Sequence, residues 1–495
     1  MSHFCKKLKS KSCLILIVIG LFFLSRVGQA ESGLISAFPM DRYNQTISAW
    51  LNPEDADYDK PLLNADTQQK RFTIFLDHYI GDHSPWSEVY INKLLQQLPS
   101  ENIKAIEQVV INLFNNKGKT AEKIGYGANY LPHTSEWIAT IEDNINISQL
   151  DGLTYQEDNR GITTENLYAR ALPTNDPSFH DAKIAGEGYP FDYLQMSAFW
   201  VGTPVYILAE SRDHAWMLVA TSEVIAWVKS SGIARADKAF IATWTTAVKN
   251  KIAAITHTKT RLIDAKGNFL SNAYVGTVLP EVSNNTVLVP VLDSNHKAKV
   301  ISVTLPADSV VTVPLLMTRH NMASIISSLI GRTYGWGNMY FYNDCSAEIK
   351  NLLTAFGIWL PRNTPQQPLA GNTVDLSNEP VENRLADLMK QGHPLLTLIT
   401  IGGHVMLYVG NYTNPLQPNT LMPMTYQNAW GLEPNPPVRR AVIGKAVFFP
   451  LLSHYPEDTT LESQANKTYF RLTNLDEFPR VLESNTIDLK VLMVP

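Results

Sequence analysis

The chain has 495 residues, 45% of them hydrophobic, with 41 Lys+Arg against 46 Asp+Glu and a formal net charge of −5. That length supports several domains of ordinary size. The acidic balance, with no basic run beyond the N-terminus, argues against nucleic acid and anionic membrane surfaces as partners.

Residues 1–30 carry Lys6, Lys7, Lys9 and Lys11 and no acid, then the apolar run CLILIVIGLFFLS, then Gly28-Gln29-Ala30. The run has signal-peptide length and is short for a bilayer span, and the small residues at 28 and 30 suit a cleavage site. Segment 1–30 therefore reads as a signal peptide, and the protein as exported, periplasmic or secreted. No later apolar stretch is long enough to span a bilayer, so no stable membrane insertion is expected after its removal. Taking the five basic residues of this segment (the four lysines and Arg26) from 41 leaves 36 against 46, a mature net charge of −10. Cleavage also removes Cys5 and Cys13, and Cys345 remains as the single cysteine. In an oxidising compartment a lone thiol is either a reagent or an inert core residue.

Residues 31–150 read as a helical N-terminal domain. Ser84-Pro85 is a helix-start pattern, Ser as cap and Pro at the first helical position. The following WSEVYINKLLQQL spaces Val89, Ile91, Leu94, Leu95 and Leu98 near a 3.6 period. A second helix from Ser100 puts Ile103, Ile106, Val110 and Leu113 on one face. His78 and His83 read as surface or core histidines.

The period then falls to two. TPVYILAES and AWMLVAT flank the polar turn SRDH, with VIAWVK close behind, which predicts a small barrel over 151–235. Residues 236–318 repeat that texture: TRLIDAKGNFL is a hairpin candidate around Lys266-Gly267, followed by TVLVPVLD and AKVISVTLP. Two small barrels in series is the economical reading. Residues 319–495 mix helix and strand. NMASIISSLIG ends at Gly331, and CSAEIKNLLTAFG aligns Ile349, Leu352, Leu353 and Phe356 before Gly357 stops it. HVMLYVGNY, MTYQNAW and AVIGKAVFFPL read as strands.

Cys345 falls in the first turn of its predicted helix, with Asp344 as the cap. The helix macrodipole favours a thiolate there, by only ~0.3–1 kcal/mol, so the thiol needs a base. His404 begins a strand just after Gly402-Gly403, a better station for a base than His393, which precedes Pro394 in a loop. The imidazole in turn needs a polar group to fix its orientation. Gln427 and Asn428 both qualify, and strand alternation lets one of the two face His404.

Tyr334-Gly335-Trp336-Gly337, Asp344-Cys345-Ser346, FGIWLPRNTPQQ and GGHVMLYVG, all within about 330–432, together resemble the NlpC/p-sixty family of bacterial cell-wall cysteine peptidases. Gly202, Pro204, Trp216 and Trp227-Val228 resemble bacterial SH3-like domains. The resemblance implies a multidomain α+β chain: a helical N-terminal domain, two small SH3-like β-barrels and a C-terminal papain-like peptidase domain over 319–495. It implies Cys345 as nucleophile, His404 as base and Gln427 as third member, where the family more often has histidine. It implies cleavage of the γ-D-glutamyl–meso-diaminopimelate bond of peptidoglycan stem peptides. Asp344 and Ser346 would bind the free amine of an N-terminal L-alanine, Tyr334 would line that pocket, and an aromatic of the first barrel, Tyr193, would close it. Arg362 reads as structural or loop-anchoring. Asn338 stands where the family usually has glycine, and Ala347 where glycine commonly follows the serine. No cofactor or metal is implied, there being no HExxH or paired-cysteine spacing. The rival readings are an N-acetylmuramoyl-L-alanine amidase of the related cysteine–histidine class and a non-catalytic wall-binding protein.

Overall fold

The structure, a computed structural model, describes residues 35–184, 186–415, 417–434, 440–480 and 487–495. The segment read as a signal peptide lies outside them. Among the described residues no helix is long and apolar enough to cross a membrane.

The N-terminal region has helices Ala65–Ile80, Glu88–Leu95, Ile103–Phe114 and Ser135–Ile145. Each is capped by a side chain, of Asn64, Ser87, Asn102 and Thr134 respectively, that accepts an orphan N–H of the first turn. The helix expected at Ser84-Pro85 thus begins one turn later. Trp86 is the reason: its indole donates to the Gly161 carbonyl at 2.8 Å, so Ser84 to Trp86 form an anchoring turn and Ser87 caps instead. The second helix is likewise capped two residues beyond Ser100. Val89, Leu98 and Leu113 face solvent, while Tyr90 and Phe114 are buried.

These helices are not a free-standing unit. Ile103, Ile106, Val110, Ile138 and Ile141 share one core with Leu208, Leu218 and Trp227 of the first barrel. The Trp227 indole donates to the buried Glu107 carboxyl at 2.9 Å. That barrel runs, in spatial order, Gln195–Phe199, Leu167–Arg170, Ile225–Lys229, Trp216–Ala220, Pro204–Glu210, Arg160–Thr163 and Ile233–Arg235. The second barrel opens with an element absent from the sequence reading, the helix Lys238–Asn250, capped by Asp237. Phe240, Trp244 and Val248, four residues apart, form its buried stripe. The strands Ala298–Thr304, Thr286–Leu292, Val278–Ser283, Ile252–Ile255 and Val310–Thr312 follow in spatial order, beside the hairpin Thr260–Ile263/Phe269–Ala273.

The last region sets the helices Arg319–Leu329, Cys345–Thr354 and Val381–Gln391 around a seven-stranded sheet. Its order is Ile35–Ala37, Arg440–Pro450, Gln417–Leu432, His404–Asn414, Thr397–Ile401, Phe470–Asn474 and Asn372–Asp375. The first of these strands comes from the segment read as the start of the helical domain. It pairs in parallel with Arg440–Val442. Cys345–Thr354 lies on the sheet through Ile349, Leu352 and Leu353, which pack with Val405, Leu407 and Tyr426. At the other end of the chain, Leu489, Leu492 and Met493 return to the core shared by Ile103 and Ile106.

Candidate active site

Cys345 is the first residue of its helix, and the Asp344 carboxylate caps that helix by accepting the Ala347 N–H at 2.9 Å. The thiol is 6% exposed. Its sulfur lies 3.7 Å from the Thr364 hydroxyl, and the Val405 backbone N–H is directed at it. The start of the His404–Asn414 strand is therefore beside the thiol. The turn Gly402-Gly403, with Gly403 at φ +77°, brings the chain into that strand in register with Thr397–Ile401.

His404 Nε2 lies 2.7 Å from Gln427 Oε1. An amide oxygen can only accept, so Nε2 carries the proton and the lone pair sits on Nδ1. Gln427 is wholly buried, and its amide is locked by Thr425 at 2.9 Å and by a reciprocal pair with Gln464 at 2.9 and 3.2 Å. Asn428 faces the opposite way, donating to the Asn343 carbonyl at 2.9 Å and toward Glu348 at 3.4 Å. Alternation along one strand thus gives one amide to the imidazole and the other to the helix.

Burial first, then the Asp344 charge, push the Cys345 thiol up to about 11. Burial pushes His404 down to about 4, against the opposing pull of Gln427. Both groups are neutral between these values. The thiolate bias expected from the helix terminus is outweighed, since desolvation opposes any charged form more strongly than a surface macrodipole favours it.

Asp344 is not the free acid that the sequence reading offers to a substrate amine. Arg362 grips it with two nitrogens, Nη2 to Oδ2 at 2.6 Å and Nη1 to Oδ1 at 3.2 Å. The same Nη1 donates to the Ser346 hydroxyl at 2.8 Å, and that hydroxyl donates to Asp344 Oδ1 at 3.2 Å. The Gly337 N–H adds a bond to Oδ2 at 3.1 Å. Arg362, read as a loop anchor, is the counter-ion of this carboxylate, and Nε reaches Ser197 of the first barrel at 2.7 Å.

Tyr334 is buried beside this group. Burial, followed by the Cys345 and Asp344 charges, holds its phenol well above the usual range. Tyr193 is one layer out: its hydroxyl donates to Glu187 at 2.7 Å, its ring stacks on His180 at 4.2 Å, and it meets Trp336 at 6.0 Å. The ring of that segment lying between the site tryptophans is Phe191, 5.1 Å from Trp336 and 5.7 Å from Trp430, the latter packing on Tyr334 at 6.1 Å. Phe191 and Tyr193, separated by Asp192, both reach Trp336.

The YGWG turn explains one departure from the family pattern. Gly337, Asn338, Tyr340 and Phe341 all have positive φ, between 55° and 61°. Asn is the side chain that best tolerates that region after glycine. Asn338 also donates to the Tyr342 carbonyl at 3.2 Å and to Asn343 Oδ1 at 3.1 Å. Asn343 in turn bonds Glu348 at 2.8 Å, and Glu348 accepts from Tyr426. This buried lattice behind the helix escaped the sequence reading; the one signal was an acid, Glu348, inside a helix otherwise patterned for burial.

Two stretches match known domain families: residues 177–229 match an SH3 domain of SH3b1 type, and residues 237–284 an SH3 domain of SH3b2 type. Among solved structures, an NlpC/P60 endopeptidase from Photobacterium damselae subsp. piscicida is 29% identical, with 88% of this chain and 98% of that one covered and a TM-score of 0.77. An NlpC/P60 family protein from Bacillus cereus ATCC 10987 is 13% identical over 61% of this chain and 98% of that one, with a TM-score of 0.39. NlpC2 from Trichomonas vaginalis is 11% identical over 63% and 97%, with a TM-score of 0.22. The last two superpose too loosely to argue from. No curated protein matches the chain.

Proposed function

We propose that this chain, with two SH3 domains and an NlpC/P60-like peptidase fold, is an exported cysteine endopeptidase of peptidoglycan stem peptides. It hydrolyses the bond between γ-D-glutamate and meso-diaminopimelate. The observation that carries this reading is the one cysteine among the described residues, at a helix start and met by the Val405 N–H, next in sequence to a histidine whose tautomer a buried amide fixes. Export is supported by the composition of residues 1–30.

In this reading the Cys345 thiol gives its proton to His404 Nδ1 as the sulfur attacks the γ-carbonyl carbon. The oxygen charge that develops is met by the Cys345 backbone N–H, one of the first-turn donors that no helix partner satisfies. The imidazolium then protonates the departing diaminopimelate nitrogen and the C–N bond breaks, leaving a thioester. Water, deprotonated by His404, attacks that thioester and returns the thiol. Gln427 holds the ring throughout. A neutral orienter stabilises the imidazolium less than a carboxylate does, in keeping with a proton held by His404 only transiently. Tyr334, Asp344 and Ser346 line the alanine side of the scissile bond.

Mass spectrometry of a digest of purified muropeptides tests the reading. Products ending in γ-D-glutamate support it, whereas intact stem peptides released from muramic acid sink it in favour of an amidase. Cleavage by a Cys345→Ala protein would remove the nucleophile assignment.

A further inference from the structure

A second cavity lies apart from the catalytic cleft, where a loop of the N-terminal region, the first barrel and the YGWG turn meet. It encloses about 930 Å³, near the upper end of the roughly 300–1,000 Å³ of small-ligand sites. None of Cys345, His404, Tyr334, Trp336 and Trp430 lines it. Tyr189, Asp192 and Gln195 do, whereas Phe191 and Tyr193 of the same segment meet Trp336. Among the described residues, four Phe, Trp or Tyr side chains are exposed: Tyr130, Tyr189, Phe269 and Tyr340. Three of the four line this one cavity, Tyr130 at 74%, Tyr189 at 59% and Tyr340 at 60% exposure. Two of the three, Tyr130 at φ 62° and Tyr340 at φ 57°, stand in the left-handed region, which a bulky side chain enters only against a steric cost. Tyr340 is fixed there: its N–H donates to the Tyr168 hydroxyl at 3.1 Å, while Phe341 stacks on the Tyr168 ring at 4.8 Å. The turn thus lays Phe341 on the barrel and leaves the Tyr340 ring in the open.

The rest of the lining narrows the chemistry of what can bind. Three cations, Arg170, Lys183 and Lys229, are matched by three carboxylates, Glu165, Asp181 and Asp192, so the cavity has no net charge with which to hold an ion. Arg170 and Asp192 close on each other at 2.5 Å, and the Lys229 ammonium sits 3.7 Å over the Trp216 ring. The planar carboxylate of Glu165 and amide of Asn175 have no side-chain partner among the described residues. A sugar ring fits both halves of this surface. Its C–H face packs on an aromatic ring, and its hydroxyl and acetamido groups take carboxylate and amide partners. The geometry points to a saccharide-binding site, separate from the catalytic cleft, in which Tyr130, Tyr189 and Tyr340 stack on rings of an uncharged N-acetylhexosamine chain. The sugar chain is held there and not cut, a role independent of the peptidase chemistry proposed above.

Titration calorimetry of the full chain with tetra-N-acetylchitotetraose tests this site. A Kd of about 1 mM or tighter is expected, and weaker or undetectable binding overturns the inference. A variant carrying Tyr130→Ala, Tyr189→Ala and Tyr340→Ala loses only exposed rings, and should bind on the order of tenfold more weakly or worse. A folded variant that falls short of that loss overturns it. Phe269→Ala removes the exposed ring outside the cavity and should leave the Kd unchanged; a loss equal to that of the triple variant overturns the placement. If the triple variant fails to fold, Tyr130→Ala alone decides, a loss of about threefold supporting the site and an unchanged Kd overturning it. The peptide L-Ala-γ-D-Glu-meso-diaminopimelate, titrated into Cys345→Ala protein with and without the three tyrosine substitutions, separates sugar from peptide. Its affinity is expected to be indifferent to them, and a loss matching that of the saccharide would make the cavity a peptide site and overturn the inference.

Discussion

Burial holds both Cys345 and His404 as neutral groups, and pH is the perturbation that exposes this. The thiol is raised from 9.0 to about 11, chiefly by burial and then by the Asp344 charge. At about 1.4 kcal/mol per pH unit, that rise makes the thiolate about 2.7 kcal/mol harder to form than in water. At pH 7 roughly one molecule in ten thousand would carry it. Iodoacetamide attacks only the thiolate, so the inactivation rate at Cys345 is expected to climb about tenfold per pH unit from 6 to 10. A preformed thiolate–imidazolium pair behaves differently, giving a rate independent of pH across the neutral range. A plateau between about pH 5 and 8 would refute the neutral-pair assignment. Stability carries the same signature with a worked sign. The raised thiol contributes stability fully present below pH 9.0 and lost as pH rises to about 11. The lowered His404 contributes stability present above pH 6.5 and lost as pH falls to about 4. Denaturant titrations across pH should therefore lose these two contributions at opposite ends, and Cys345→Ala should flatten only the alkaline one.

Three further outcomes are expected. Gln427→Ala orphans the His404 Nε2–H, a loss of roughly 1–3 kcal/mol that should lower kcat/KM by about 5- to 150-fold, and Gln427→His should restore most of it; steady-state kinetics on a γ-D-glutamyl–diaminopimelate peptide checks both. Burial raises Glu107 from 4.5 to about 7, so the folded state holds its proton longer and this group's contribution to stability should fall by about 3 kcal/mol between pH 4.5 and 7; the check is the difference between wild type and Glu107→Gln in denaturant melts across that window, which cancels the opposite His404 contribution common to both. Asn338→Ala removes two hydrogen bonds and places a Cβ-branched-free but non-glycine residue at φ 61° without Asn's tolerance, costing about 1–3 kcal/mol in thermal melts, whereas Asn338→Gly should cost less.

What could be read in the sequence was short-range. The Cys345 helix declares itself by a cap and a four-residue stripe, and the His404 strand by glycines followed by alternation. The choice between Gln427 and Asn428 depends only on strand phase, but phase needs a partner strand before it can be assigned. The Asp344–Arg362 pair was out of reach for a different reason. It depends on how the chain after Gly357 folds back, and on Ser197, which lies 165 residues away in sequence. A helix such as Lys238–Asn250 hides among strand-like neighbours because Phe240, Trp244 and Val248 are residue types common to both periods. The strand Ile35–Ala37 is three residues long, too short to carry any period of its own.

The two ends of the described chain are crossed. Ile35–Ala37 completes the sheet of the peptidase region, and Leu489–Met493 completes the core of the helical region. During synthesis the helical unit emerges early yet lacks these apolar contacts until residues 489–493 have been made. The peptidase sheet, made last, finds its edge strand already waiting. Residues 319–495 produced alone would therefore expose the Arg440–Val442 edge to pairing with other chains. Neither region is expected to mature as an independent module, which ties a competent thiol to the presence of both strand Ile35–Ala37 and residues 489–493.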